Sequence, residues 1–227
     1  MQALRTANHD GEATTRQVLT LLADSPLPDP RRELANLSLE AVEIARARKN
    51  PAAFAPLYER YVDAVYSYCL RRISDPEHAA DMTSQIFARA LGAMPRYAEN
   101  GGTFRSWLFS IAHNLLIDTY RKHRDVASLD ERQQVHLLED SAAGPEHLAV
   151  QEELRLAFRA ALAQITNGQR DVVELRLAGL TGPEIAEVLG MKLAAVKSTQ
   201  FRAYTRLREL LAPYADPASL NNKEEQP

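Results

Sequence analysis

Apolar residues recur along this chain at intervals of three and four, and nowhere alternate over a convincing strand length. That spacing places them on one side of a 3.6-residue helix, so the pattern predicts an all-α protein. The segment SLEAVEIARARKN has a Ser38 cap ahead of apolar Ala41, Val42, Ile44 and Ala45, and Pro51 ends or restarts its helix. A second helix carries Phe54, Leu57, Tyr58, Tyr61, Val62, Val65 and Tyr66. A third starts near Asp75 and Pro76, with proline in the first turn, and runs through AADMTSQIFARAL to about Ala93. The loop MPRYAENGGT follows, and its paired Gly101 and Gly102 permit unusual backbone angles. The stretch FRSWLFSIAHNLLIDTYRKHR predicts a fourth helix ending in Arg121, Lys122 and Arg124. On it Trp107, Leu108, Ile111 and Leu115 form a continuous apolar stripe and belong in the core.

The segment from Thr181 to Leu211 has a different grammar. Thr181 and Glu184 spell a T-x-x-E capping box, in which hydroxyl and carboxylate satisfy orphan backbone N–H groups at a helix start. Ala186 is small where two helices must cross, Gly190 follows where a turn needs positive φ, and Val196 is a buried anchor six residues on. Lys192, Lys197, Arg202, Arg206 and Arg208 then supply cations with no carboxylate among them. This predicts a helix-turn-helix whose second helix neutralises phosphates while one face enters a major groove. An amphipathic helix pair with a merely solvated basic face has the same pattern.

The 227 residues, 45% of them hydrophobic, can build one large or two small cores. Two small helical domains joined by a flexible acidic linker fit better, with the C-terminal one the helix-turn-helix. The boundaries are an N-terminal extension over 1–37, a helical domain over 38–124, a linker over 125–145, the second domain over 146–212 and a tail over 213–227. A net charge of −3 does not by itself suggest a nucleic-acid binder, so the inference rests on where the charges lie. Between Asp125 and Ala160 carboxylates outnumber arginines, whereas the helices on either side are basic. The extension holds one short apolar cluster, Val18, Leu19, Leu21 and Leu22, followed by the helix-breaking SPLPDP.

The function classes thin out quickly. Cys69 is the single cysteine, so it cannot form an intramolecular disulfide, and it reads as a small buried hydrophobe. The six histidines fall at no metal-ligand spacing, and neither a Gly-rich phosphate loop nor a nucleophile motif stands out. No enzyme activity, cofactor or metal is therefore expected. Lacking a membrane-length apolar run or a signal-type N-terminus, the chain reads as cytoplasmic, with no membrane insertion.

Taken together, these segments resemble the extracytoplasmic-function (ECF) sigma factors, compact two-domain bacterial transcription initiation factors. AADMTSQIF resembles the family's A-x-D-L-x-Q-E-x-F helix, and FRSWLFSIAHNLLIDTYRKHR resembles F-x-x-W-L-x-x-I-A-x-N-x-x-x-D-x-x-R. QRDVVELRLAGLTGPEIAEVLG with VKS resembles the terminal helix-turn-helix. The resemblance spans about Ser38 to Leu211.

It implies core RNA polymerase as a partner, through the clamp of the largest subunit and the flap of the second-largest, together with promoter DNA. An anti-sigma factor is an optional further partner, and the free protein would be a monomer. Asp81, Ser84, Gln85 and Phe87 would dock on the clamp, with Ser84 and Gln85 standing where the family usually has Gln and Glu. Tyr97, Arg105, Asn114, Arg121 and Arg124 would act at the minus-ten element, where bases must be unstacked and captured, with Tyr97 either stacking on a base or equally a core ring. His113 stands where the family often has Arg, and reads as a solvated residue. Lys192, Lys197, Ser198, Thr199 and Arg202 would act at the minus-thirty-five element. The linker would pass through the polymerase channel, or serve simply as a solvated connector. The rival reading is a stand-alone helix-turn-helix regulator, which has no use for the Asp81 helix or the Trp107 stretch.

Overall fold

The computed structural model describes residues 30–73, 75–98, 102–127 and 156–214, with side chains from Leu39 onward and, on the helix entering the linker, as far as Arg121. Most of the expected linker and the Val18 to Leu22 cluster lie outside the described residues. All regular structure within them is helical. The helices are α1 (Pro30–Ala47), α2 (Ala55–Ile73), α3 (Pro76–Ala93), α4 (Phe104–Ala127), α5 (described residues 156–163), α6 (Asn167–Leu177), α7 (Gly182–Leu189) and α8 (Leu193–Leu211). Short 3₁₀ turns occupy Pro51–Phe54, Met94–Arg96 and Ala212–Tyr214. By contact, α1 to α4 and α7 form one compact unit, and α5, α6 and α8 the other.

In the first unit, local chemistry sets the helix ends. Asn50 accepts from the Ala52 N–H at 3.0 Å to start the turn before α2. Asp75 caps α3 by accepting from the His78 N–H at 2.8 Å, with Pro76 at the first helical position, where its missing N–H costs nothing. Two boundaries differ from expectation. Ser38 lies inside α1, because Pro30 is itself a good first residue and the intervening RRELANL contains strong helix formers. At the other end, α4 runs through Arg124 to Ala127, into the start of the expected linker.

The core of this unit is aromatic. Phe104 packs against Phe54, Tyr61, Tyr97 and Trp107 with ring centroids 6.5, 5.6, 5.6 and 5.3 Å away. These separations suit edge-to-face and tilted pairs, each worth about 0.5–1.5 kcal/mol beyond area burial. Tyr61 also donates to the buried Glu40 carboxylate, and Arg60 neutralises Glu40 and Glu43 at 3.5 and 2.7 Å, fastening α1 to α2. Burial, reinforced by Glu40, holds the Tyr61 hydroxyl protonated well above its ordinary range. His113 is 7% exposed, and its Nδ1 lies 3.1 Å from the Tyr68 hydroxyl, which corrects the expectation of a solvated residue. It shares the inward face of α4 with Phe109, Ala112 and Leu116, and a polar ring is admitted there because it has a hydrogen-bonding partner.

The second unit has an aliphatic core. Phe158, Ala161, Leu162, Ile165, Val173, Leu177, Ala203, Leu207 and Leu211 draw α5, α6 and α8 together. Thr166 and Gln169 form a reciprocal cap at the start of α6, with N···O distances of 3.0 and 3.4 Å. Glu174 is fully buried on α6, and Arg170, one turn earlier, meets its carboxylate at 2.7 Å.

Candidate functional site

Three helix faces carry the residues singled out from sequence, and each must present side chains to solvent to be of use. On α3, Met82, Thr83, Ile86, Phe87 and Ala90 turn inward. Asp81, Ser84, Ala88 and Leu91, spaced three, four and three apart, remain exposed as one stripe, with Gln85 alongside. The Ser84 hydroxyl donates to the Ala80 carbonyl at 3.0 Å. Phe87 is the correction here. It is 5% exposed and packs on Phe54 and Tyr58 at 6.3 and 4.7 Å, so its ring is core and cannot meet a partner. Leu91, missed from sequence, is the apolar group this face does present.

The loop before α4 and α4 itself form the second face. Tyr97 is 4% exposed and lies 4.9 Å from Trp107, so it is a core ring and not a free stacking platform. Trp107, expected in the core, is half-buried. Arg105 is half-buried and committed within the fold: its Nη1 donates to the Gly179 carbonyl at 3.0 Å, and its guanidinium lies 5.9 Å from the Tyr61 ring centre. Thr103 next to it donates to Glu184 at 2.6 Å. Asn114, Asp118 and Arg121, spaced four and three apart, share the exposed side of α4. Tyr120 is exposed beside Arg121, and its hydroxyl donates to the Arg72 carbonyl. Arg124 lies in α4 beyond the described side chains.

The third face begins at α7. Both halves of the capping box are present: Thr181 accepts from the Glu184 N–H at 3.4 Å, and Glu184 accepts from the Thr181 N–H at 2.7 Å. Gly190 ends α7 with φ 62°, a left-handed angle that costs a side-chain-bearing residue about 1–2 kcal/mol. The Met191 N–H then bonds back to the Ala186 carbonyl at 2.8 Å, and α8 starts at Leu193. Along α8, Val196, Thr199, Ala203, Leu207 and Leu211 are buried, and Lys197, Ser198, Phe201, Arg202, Thr205 and Arg208 are exposed. Lys192 is exposed just before the helix. Thr199 is therefore a correction, since at three residues from Val196 it falls on the inward side. Phe201, absent from the expected set, is the most exposed large hydrophobic side chain among the described residues. Its signal was legible: it is an aromatic out of phase with the Val196, Ala203 and Leu207 stripe.

No group of three or more potential metal ligands occurs among the described residues, and no helix among them is long and apolar enough to cross a membrane. The exposed Asp81 stripe of α3, the polar face of α4 and the capped turn into a basic helix together point to a sigma-70-type transcription factor. The sigma-70 region 2 family matches residues 57–126, and the sigma-70 region 4 family matches residues 155–207, across the α5 to α8 segment. The ECF RNA polymerase sigma factor BldN of Streptomyces coelicolor is 33% identical over 174 residues, covering 76% of this chain and 65% of its own length. SigX of Bacillus subtilis, also an ECF RNA polymerase sigma factor, is 31% identical over 163 residues, covering 69% of this chain and 82% of its own. A structure of CnrH, determined in complex with the cytosolic domain of CnrY, superposes with a TM-score of 0.55 at 26% identity, covering 75% of this chain and 96% of that one. The chain belongs to the ECF RNA polymerase sigma factors.

Proposed function

We propose that this protein binds core RNA polymerase in the cytoplasm and directs it to promoters as a non-catalytic specificity subunit. The observation that carries this reading is the occurrence of region 2 and region 4 in order on one chain, with Asp81 exposed at the N-terminal end of the stripe on α3 that continues through Ser84, Ala88 and Leu91. Asp81, Ser84 and Gln85 dock on the clamp of the largest polymerase subunit, and the second domain meets the flap of the second-largest. Asn114, Arg121 and Arg124 act on the opened minus-ten element. Lys192, Lys197, Ser198 and Arg202 hold the minus-thirty-five duplex, the cations releasing counterions from phosphates and Ser198 reaching toward base edges. Two domains, 38–124 and 146–212, divide these tasks, and the connector between them lies in the polymerase channel. Regulation by a protein that withholds the factor fits the same reading, since the similar CnrH was solved with the cytosolic domain of CnrY bound.

Multi-round transcription from a genomic promoter library, with purified core polymerase, tests the proposal through wild type and Asp81→Arg. Reversing the charge of an exposed residue leaves the fold intact, which circular dichroism checks, and places a cation where a carboxylate should pair. Wild type should start RNA at defined sites, and the variant should lose at least tenfold of that signal. Duplex binding by the wild type with no initiation would favour the stand-alone regulator instead.

A further inference from the structure

We propose that the free factor is held closed by a latch between the start of α4 and helix α7, and that the latch must open before both DNA-reading segments engage a promoter. The inference rests on the two-element reading above and adds how the unbound chain withholds that activity. Within the first unit α7 packs chiefly on α4. Three adjoining points make the contact. A Cβ at Gly102 would fall on the Glu187 carboxylate, so the loop lies directly against α7. The Thr103 hydroxyl donates to Glu184 Oε1 at 2.6 Å, while Glu184 Oε2 accepts from the Thr181 N–H and hydroxyl at 2.7 and 2.8 Å. The Arg105 guanidinium donates to the Gly179 carbonyl at 3.0 Å. Each oxygen of Glu184 thus has its own task, one capping α7 and the other gripping α4, so the latch can part without uncapping the helix.

Distance makes the closed form incompatible with a promoter. By their names the minus-ten and minus-thirty-five elements are centred about 25 base pairs apart, more than two turns of duplex or about 85 Å. Along α4 the path from Thr103 to Asn114 is about 17 Å. From Glu184 to Lys197 the chain runs through helix, a short turn and helix again, and reaches about 30 Å at full stretch. With the latch closed, Asn114 and Lys197 can therefore stand no more than about 50 Å apart, and one of them loses its element. The same contact occupies Arg105, the cation that the sequence assigns to the minus-ten element. The fraction of chains with the latch open then sets the apparent affinity for a promoter.

The test locks and unlocks the contact in the full chain. In a Cys69→Ala background, which removes the only native thiol, Gly102→Cys with Glu187→Cys sets two thiols within disulfide reach when α7 lies on α4. The free chain should cross-link on oxidation. Purified cross-linked chain, added to core polymerase, should lose about tenfold or more of its promoter-specific transcription. Dithiothreitol should restore it, and each single cysteine variant should be indifferent to oxidation. Thr103→Asp keeps an acceptor for the Ser106 N–H, which the Thr103 hydroxyl receives at 3.1 Å, but sets a carboxylate against Glu184. It should slow cross-linking about fivefold or more, and adding Glu184→Gln should reverse that slowing. No cross-link in the free chain, full transcription by the cross-linked chain, or cross-linking that Thr103→Asp leaves unchanged overturns the latch alone. Failure of wild type to initiate anywhere overturns the initiation-factor reading and the promoter gating with it, whatever the cross-link shows.

Discussion

Helices α4 and α8 are both assigned to DNA, yet they solve opposite problems. Helix α4 is held at its start by the aromatic cluster around Phe104 and Trp107 and farther along by a buried inward face, and only Asn114, Asp118, Tyr120 and Arg121 among its described side chains are exposed. Helix α8 buries a narrow aliphatic seam and leaves a broad face of small, cationic and aromatic residues open. A helix that must keep its shape while neighbouring bases are pulled from a stack needs a stiff mounting, and offers few, mixed contacts. One that docks on an intact duplex can be lightly mounted, because the duplex supplies the complementary rigidity. The energetics should separate accordingly, with α4 failing through its core and α8 through its turn.

The largest effect is expected at Phe104, which is 1% exposed and touches four other rings. Phe104→Ala should cost about 3–5 kcal/mol of the first unit's stability, measured by urea unfolding followed through Trp107 fluorescence. If the mounting of α4 were as light as that of α8, the loss would stay near 1 kcal/mol, on the order of a single helix-cap deletion. The comparison would then collapse.

A pH experiment sharpens the same contrast from within the first unit. Cys69 is fully buried, and desolvation raises its thiol to about 11 from an ordinary value of 9.0. The folded chain thus keeps a proton that the unfolded chain releases. The stability this contributes is complete below pH 9 and is lost as pH rises toward 11, by about 2 kcal/mol. Cys69→Ala should therefore lose less stability than wild type between pH 8.5 and 11, whatever its stability at neutral pH. Parallel losses in the two proteins would show that the thiol stays open to solvent.

How much of this could be read in the sequence follows from the kind of signal each feature leaves. The helix start at Asp75 and Pro76, the capping box at Thr181 and the turn glycine at Gly190 are local, because backbone groups a few residues away dictate them, and they stand where the sequence placed them. The start of α1 was misread because Pro30 and Ser38 are both acceptable first residues, and local chemistry does not choose between them. Phe87 was misassigned, and Tyr97 left undecided between stacking and core, for a further reason. A surface aromatic and a core aromatic look alike in one dimension, and only packing against Phe54, Tyr58 and Trp107 tells them apart. Arg105 was misread similarly, since its acceptor at Gly179 is distant in sequence. The helical phase of α8 would have excluded Thr199 and suggested Phe201, had it been tracked from the anchor at Val196.

The smallest effect tests the α8 side of the comparison at the junction that launches it. Gly190 has φ 62°, and nothing lies within 4 Å of the place where a Cβ would stand, so a substitution there meets backbone strain and no steric clash. Gly190→Ala should then cost only the left-handed penalty, about 1–2 kcal/mol, and Gly190→Asn less, because asparagine visits that region more readily. The functional consequence should nevertheless exceed the thermodynamic one. The Met191 N–H reaches back to the Ala186 carbonyl across this residue, and relaxing φ would disturb that link immediately before exposed Lys192. Holoenzyme binding to its selected upstream element should weaken in the order Gly190, Asn, Ala, while binding to an opened minus-ten strand stays unchanged. Equal weakening of both would mean that α4 and α8 are coupled through the turn and do not serve as separately mounted readers.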